Sequence, residues 1–221
     1  MYLAIEGVIG VGKTTLARSL QGAFQAELVL EVFEENPFLS DFYGDRQRYA
    51  FQTQIFFLLS RYHQQRRSVP DILQRKQPLI ADYTFAKDAL FASINLQGDE
   101  LEMYRRVHDA LAEKIPDPEL TLYLRADTDV LMQRIASRDR PYERNMERDY
   151  IDRLNHAYDA FFLQQAGGHD GTAVLVLDTN QLDYVRRQDD LKFVENRIRQ
   201  ALQFPPYQPE LPLDSTYAYH E

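Results

Sequence analysis

Tyr2-Leu3-Ala4-Ile5-Glu6-Gly7-Val8-Ile9-Gly10-Val11-Gly12-Lys13-Thr14-Thr15 is the stretch on which the reading of this chain turns: an apolar run breaks into glycines, then into a lysine and two threonines. The spacing from Gly7 to Gly12-Lys13-Thr14 fits G-x-x-x-x-G-K-[S/T]. In that pattern a loop between a strand and a helix turns its backbone N–H groups onto phosphate oxygens at the helix N-terminus. Lys13 would put a point charge on the β- and γ-phosphates, and the Thr14 hydroxyl would be offered to Mg²⁺. The loop residues Gly7, Val8, Ile9, Gly10, Val11, Gly12, Lys13, Thr14 and Thr15 are therefore expected to hold a nucleoside triphosphate such as ATP.

Outward from the loop, Leu16, Ala17, Leu20 and Phe24 recur at helical spacing over Lys13 to Phe24, and residues 27–32 read as a short buried strand. After Asn36-Pro37 a long helix is predicted from Arg46 to about Ser68, with Pro70 at or beyond its end. Residues 78–82 form a third strand, followed by helices over about 85–95 and 99–114, a fourth strand at 120–124 and a helix over 127–138. The polar turn at Arg138-Asp139-Arg140-Pro141-Tyr142-Glu143-Arg144 leads into a helix over about 148–165 that Gly167-Gly168 would close. A fifth strand at 173–177 and a last helix over about 191–202 complete the pattern. Strands that are apolar throughout, alternating with helices, suit a parallel sheet covered on both faces, with ligands outside the carboxyl ends of its strands. The expectation is an α/β fold in one domain over residues 1–202, followed by a proline-rich tail at 203–221 that cannot continue a helix.

Composition narrows the partners. With a formal net charge of -9, the protein is not expected to neutralise the phosphates of duplex nucleic acid, so its nucleotide ligands should be small. It has no cysteine, which excludes thiol nucleophiles, disulfides and thiolate metal sites. No run approaches the ~20 apolar residues of a membrane span, and no secretory leader is visible, so a soluble cytoplasmic protein is expected.

Several polar residues fall where the strands would end. Glu31 could accept a proton from a hydroxyl attacking the γ-phosphate, with Glu34 and Glu35 as its neighbouring competitors. Asp82 could bind Mg²⁺ directly or through water, or with Thr84 serve only to cap the next helix. Arg134 and Arg138 share a helical face, and Arg140 lies in the turn beyond. They could close over the transferring phosphoryl group, or simply neutralise a helix end. Gln54 and Arg61 lie two turns apart on one face of the long helix, and a glutamine there suits the edge of a base.

These residues, taken in order, resemble the deoxynucleoside kinases, most of all their bacterial deoxyadenosine and deoxyguanosine kinase branch. The resemblance runs to about residue 202. It is carried by Ile5-Glu6-Gly7 with the phosphate loop, Glu31-Val32-Phe33-Glu34-Glu35-Asn36-Pro37-Phe38-Leu39, Phe51-Gln52-Thr53-Gln54 with Leu59-Ser60-Arg61, Ala81-Asp82-Tyr83 with Phe91-Ala92, and Arg134-Ile135-Ala136-Ser137-Arg138-Asp139-Arg140. It implies a P-loop kinase fold with an arginine-bearing lid at about 138–147. The implied reaction is ATP- and Mg²⁺-dependent phosphorylation of the 5′-hydroxyl of a deoxyribonucleoside, a purine one, in nucleotide salvage. By the same resemblance Glu31 activates the hydroxyl, Tyr43 lies near the 3′-hydroxyl, Gln54, Arg61 and Phe91 meet the base, and Glu143 lies near the sugar. Thr14 and Asp82 hold the metal, and the family precedent is a homodimer packed through helices.

Two departures stand out. The family often carries acid-Arg-Ser after its third strand, where this chain has Asp82-Tyr83-Thr84. The lid arginines and Arg61 are the candidates to replace the missing arginine. Lys87 and Asp88 compete for the place of a base-contacting aspartate. The rival expectations are a thymidylate-like monophosphate kinase, which would want more basic groups around its acceptor, and a nucleotide-binding switch protein with no small acceptor.

Overall fold

The structure is a computed structural model that describes residues 1–166 and 172–205. Its centre is β1 (Tyr2–Glu6), buried along its whole length. Side chains alternate across a strand, and here the two sets find different partners. Leu3 and Ile5 pack in one apolar cluster with Leu16, Leu20 and Ile80, while Tyr2 and Ala4 pack in another with Val69, Ile72 and Leu79. The first cluster draws on α1 (Lys13–Phe24) and the second on α3 (Arg46–Gln74), so helices cover both faces of the sheet.

The five strands run parallel in the order β2-β3-β1-β4-β5, with β2 at Glu27–Val29, β3 at Leu79–Ala81, β4 at Leu120–Arg125 and β5 at Ala173–Asp178. Leu3 lies beside Ile80 on one side and Leu120 on the other. The remaining helices are α2 (Leu39–Gly44), α4 (Ala86–Asn95), α5 (Gly98–Ala112), α6 (Thr128–Arg138), α7 (Arg148–Ala166) and α8 (Gln188–Ala201). This is the α/β architecture expected from the sequence, a five-stranded parallel sheet with helices on both faces.

Three expectations are corrected. The second strand stops at Val29 rather than Val32, because side chains take over its backbone groups: Gln64 Nε2 donates to the Leu30 carbonyl (2.8 Å) and the Glu31 N–H donates to Asp82 Oδ1 (2.7 Å). Glu31 thus sits beyond the strand, not on its last residue. Pro70 does not end the long helix but lies inside it, and α3 runs on to Gln74. Proline removes one helical hydrogen bond, yet Val69 and Ile72 on either side of it are buried against the sheet and hold the chain in register. Finally, α4 starts after Phe85 without a side-chain cap, so neither Asp82 nor Thr84 has the capping role. The proposed helix closure at Gly167-Gly168 and the tail from residue 206 lie outside the described residues.

Candidate active site

The turn after β1 is shaped for close approach. Gly7 has φ +148°, and a Cβ there would stand 2.5 Å from the Leu124 carbonyl oxygen. Val8 and Val11 send their side chains into the core, leaving only their backbone groups to face a ligand. Tyr184 holds the loop from the far side, its hydroxyl donating to the Val11 carbonyl at 3.0 Å. Beneath the loop lies Glu6, fully buried, accepting from the Thr84 N–H (2.6 Å), the Thr84 hydroxyl (2.8 Å) and the Gly7 N–H (3.3 Å). Burial pushes its carboxyl above the usual range. Lys13 donates to the carbonyls of Gly7 (2.6 Å) and Val8 (3.2 Å). Burial, helped by repulsion from Lys87, brings its ammonium down to about 8.

The acids expected at the strand ends meet at this loop. The Thr14 hydroxyl donates to Asp82 Oδ2, and Asp82 Oδ1 takes the Glu31 N–H at 2.7 Å. A hydroxyl and a carboxylate oxygen in direct contact at the foot of a phosphate loop fit Mg²⁺, which takes one or two protein oxygens and otherwise phosphate and water. Glu31 is held by two cations: Arg61 donates to Oε1 through Nε (3.1 Å) and Nη2, and Lys87 Nζ reaches Oε2 at 2.5 Å. Burial alone would raise the Glu31 carboxyl, but Lys87 and Arg61 together hold it well below the usual carboxylate range.

Arg61 also donates from Nη1 to Asp88, which is fully buried. Its guanidinium lies 4.6 Å above the centre of the Phe57 ring. Gln54, two turns back along the same face of α3, is 2% exposed, and its Oε1 is buried without a hydrogen-bond partner among the described residues. Both border a cavity of about 370 Å³ that is also lined by Gly10, Gly12, Lys13, Thr14, Glu31, Tyr43, Phe91, Arg138, Arg140 and Glu143. Tyr43 stacks on Tyr142 there, with ring centres 6.1 Å apart.

The lid follows α6. Arg138 donates to both oxygens of Glu143 at 2.7 and 2.6 Å, and Arg140 reaches Glu143 at 3.7 Å while covering the Phe33 ring at 4.1 Å. Arg134 is placed differently from its two companions. It donates to the Thr179 carbonyl (2.6 Å), the Thr179 hydroxyl (3.1 Å) and the Val11 carbonyl (3.4 Å), so it ties α6 and the segment after β5 to the phosphate loop and does not line the cavity.

The cavity thus gathers loop residues with Glu31, Tyr43, Gln54, Arg61, Phe91, Arg138, Arg140 and Glu143, while Asp82 does not line it but is bonded to Thr14 and to the Glu31 N–H. Sequence reasoning leaves Lys87 and Asp88 as rivals for one place, whereas the structure gives each a different partner. A signal exists in the spacing: Lys87 lies four residues before Phe91, one helical turn along the same face. Tyr142, Tyr184 and buried Glu6 are site neighbours that sequence reasoning misses.

A parallel sheet with a phosphate loop after its first strand and an arginine-bearing lid defines a P-loop phosphotransferase. Comparison with known proteins makes this specific. The family model "Deoxynucleoside kinase" matches residues 3–203. A deoxyguanosine kinase of Bacillus subtilis (strain 168) is 33% identical over 201 residues, covering 91% of this chain and 97% of that protein. A deoxyadenosine/deoxycytidine kinase of the same organism is 24% identical over 208 residues, covering 90% and 92%. Among solved structures, a deoxyadenosine kinase from M. mycoides with bound dCTP matches with a TM-score of 0.76 at 25% identity, over 90% of this chain and all of that one. The chain belongs to the deoxynucleoside kinases.

Proposed function

We propose that this enzyme transfers the γ-phosphoryl group of ATP to the 5′-hydroxyl of a purine deoxyribonucleoside, giving the 5′-monophosphate for nucleotide salvage. One observation carries the reading: a single cavity is lined both by residues of the phosphate loop and by Glu31, Gln54 and Arg61. In the reaction the 5′-oxygen forms a bond to the γ-phosphorus, the bond to the β,γ-bridging oxygen breaks, and ADP leaves. Glu31 orients the hydroxyl and takes its proton as the bond forms. The loop N–H groups, Lys13, Arg138 and Arg140 face the charge that develops on the phosphoryl oxygens. Thr14 and Asp82 would hold Mg²⁺, which when bound neutralises β- and γ-phosphate charge. Gln54 offers a donor and an acceptor side by side to the base edge, with Arg61 beside it, Phe91 against the base, Tyr43 near the 3′-hydroxyl and Glu143 near the sugar. The similarity to a deoxyguanosine kinase supports a purine acceptor.

The reading extends to organisation. Residues 1–202 act as one kinase domain, with 138–147 as its lid and 203–221 as a tail. Two copies pair through α3 and α5, which expose Leu59, Met103 and Val107. The setting is cytoplasmic. Among the described residues no helix is long and apolar enough to cross a membrane.

The deciding experiment is an assay of the four deoxynucleosides with ATP and Mg²⁺, with the corresponding monophosphates as alternative acceptors. Turnover highest with deoxyguanosine or deoxyadenosine is expected. No turnover of any deoxynucleoside overturns the proposal. Sedimentation showing only monomer at micromolar concentration overturns the dimer.

A further inference from the structure

Glu31 has two oxygens to fix, and they are fixed by different helices. Arg61 on α3 serves Oε1 and is committed at its other end to Asp88. Oε2 is left to a second cation, and the surroundings narrow which one it can be. Lys13 is turned to the carbonyls of Gly7 and Val8. Arg138 and Arg140 are engaged by Glu143. Tyr83 stands where the family often has an arginine, but it carries no charge and its hydroxyl donates to Gln64 Oε1 at 2.5 Å, away from Glu31. What reaches Oε2 is Lys87, from the first turn of α4, at 2.5 Å.

We propose that Lys87 is the positioning residue for Glu31, supplying from α4 the cation that this chain lacks at Tyr83. This inference rests on the kinase reading above. The geometry suits the task. The terminal torsion of a glutamate is broad and easily turned, so one pinned oxygen leaves the carboxylate free to rotate, whereas two pinned oxygens fix its plane. Each carboxylate oxygen has two acceptor positions, so Oε2 can keep Lys87 and still accept a hydroxyl. Lys87 is itself constrained. It is 5% exposed, and its ammonium lies 5.7 Å from the centre of the Phe91 ring, four residues along the same helix. Its stem is thus held in the cavity wall and its charge has little room to wander.

The test is steady-state kinetics of Lys87→Met, Lys87→Arg and, as a second neutral variant should the first not fold, Lys87→Gln. Either neutral variant should lower kcat by about 10- to 100-fold while the deoxynucleoside and ATP KM values stay within about threefold, because orientation is lost and binding is not. Lys87→Arg should restore most of the rate. Combined with Glu31→Gln, the neutral substitution should cost less than about threefold further, since the group it orients has lost its function. A neutral variant with kcat within about threefold of wild type overturns the inference, as does an undiminished loss in the Glu31→Gln background or a change confined to KM. In each of those outcomes the wild-type enzyme remains a deoxynucleoside kinase. Failure of the wild type on every deoxynucleoside would overturn the kinase reading instead.

Discussion

Arg61 and Asp88 form an ion pair inside the protein, with side chains 6% and 0% exposed. Arg61 therefore joins the wall of the cavity to the core beneath α4. Removing one partner of a buried pair strands the other charge. Arg61→Met should lower unfolding stability by about 3–5 kcal/mol in urea titration, because the buried Asp88 side chain is left without its cation. The exposed pair Arg148 with Asp129 is the comparison. Arg148→Ala should leave the unfolding midpoint essentially where it was.

Glu31→Gln keeps the shape of the side chain and removes its capacity to accept a proton. The expected result is a fall in kcat of ~10² or more, with ATP affinity largely retained, as loss of a positioned base predicts. Rapid-quench or coupled-assay kinetics beside ATP titration will separate the two quantities. An unchanged kcat removes Glu31 from the role.

Lys13 gives the site a pH dependence of definite sign. Its ammonium loses its proton at about 8 in the free protein, while a triphosphate stabilises the charged form. Binding ATP above pH 8 should therefore take up a proton, and ATP affinity should fall as pH rises, by up to about tenfold per unit. Calorimetry at about pH 8.5 in two buffers of different ionisation enthalpy should give different apparent binding enthalpies. Identical enthalpies in the two buffers would contradict this titration.

Gly7 leaves no room for a side chain. With φ +148°, and with the Leu124 carbonyl oxygen 2.5 Å from the place a methyl group would take, Gly7→Ala must move either the loop or β4. ATP binding should be lost or weakened by more than about tenfold, which an equilibrium binding measurement will detect.

The parallel sheet is legible because its strands are apolar on both faces, and the phosphate loop because its spacing is strict. The two acids Glu31 and Asp82 are legible as neighbours of strand ends. What the sequence does not reveal are choices made by packing. Pro70 should close α3, but the burial of Val69 and Ile72 outweighs one missing hydrogen bond. Arg134 has the spacing of a lid residue, yet Thr179, far along the chain, captures it. Lys87 and Asp88 are adjacent in sequence and read as interchangeable, but in the first turn of a helix adjacent residues point about 100° apart, and each meets a different counter-charge.

The strand order places β1 between two territories. The groups proposed to meet the base, Gln54, Arg61 and Phe91, come from the segments after β2 and β3, on one side of β1, whereas the proposed lid with Glu143 follows β4 on the other. Substitutions that re-shape the base-facing wall at Gln54, Arg61 and Phe91 can therefore accumulate in one part of the molecule without touching the ion pairs of Arg138 and Arg140 with Glu143. Such a layout lets descendants of one scaffold exchange one nucleoside for another while the energy-supplying half is inherited intact.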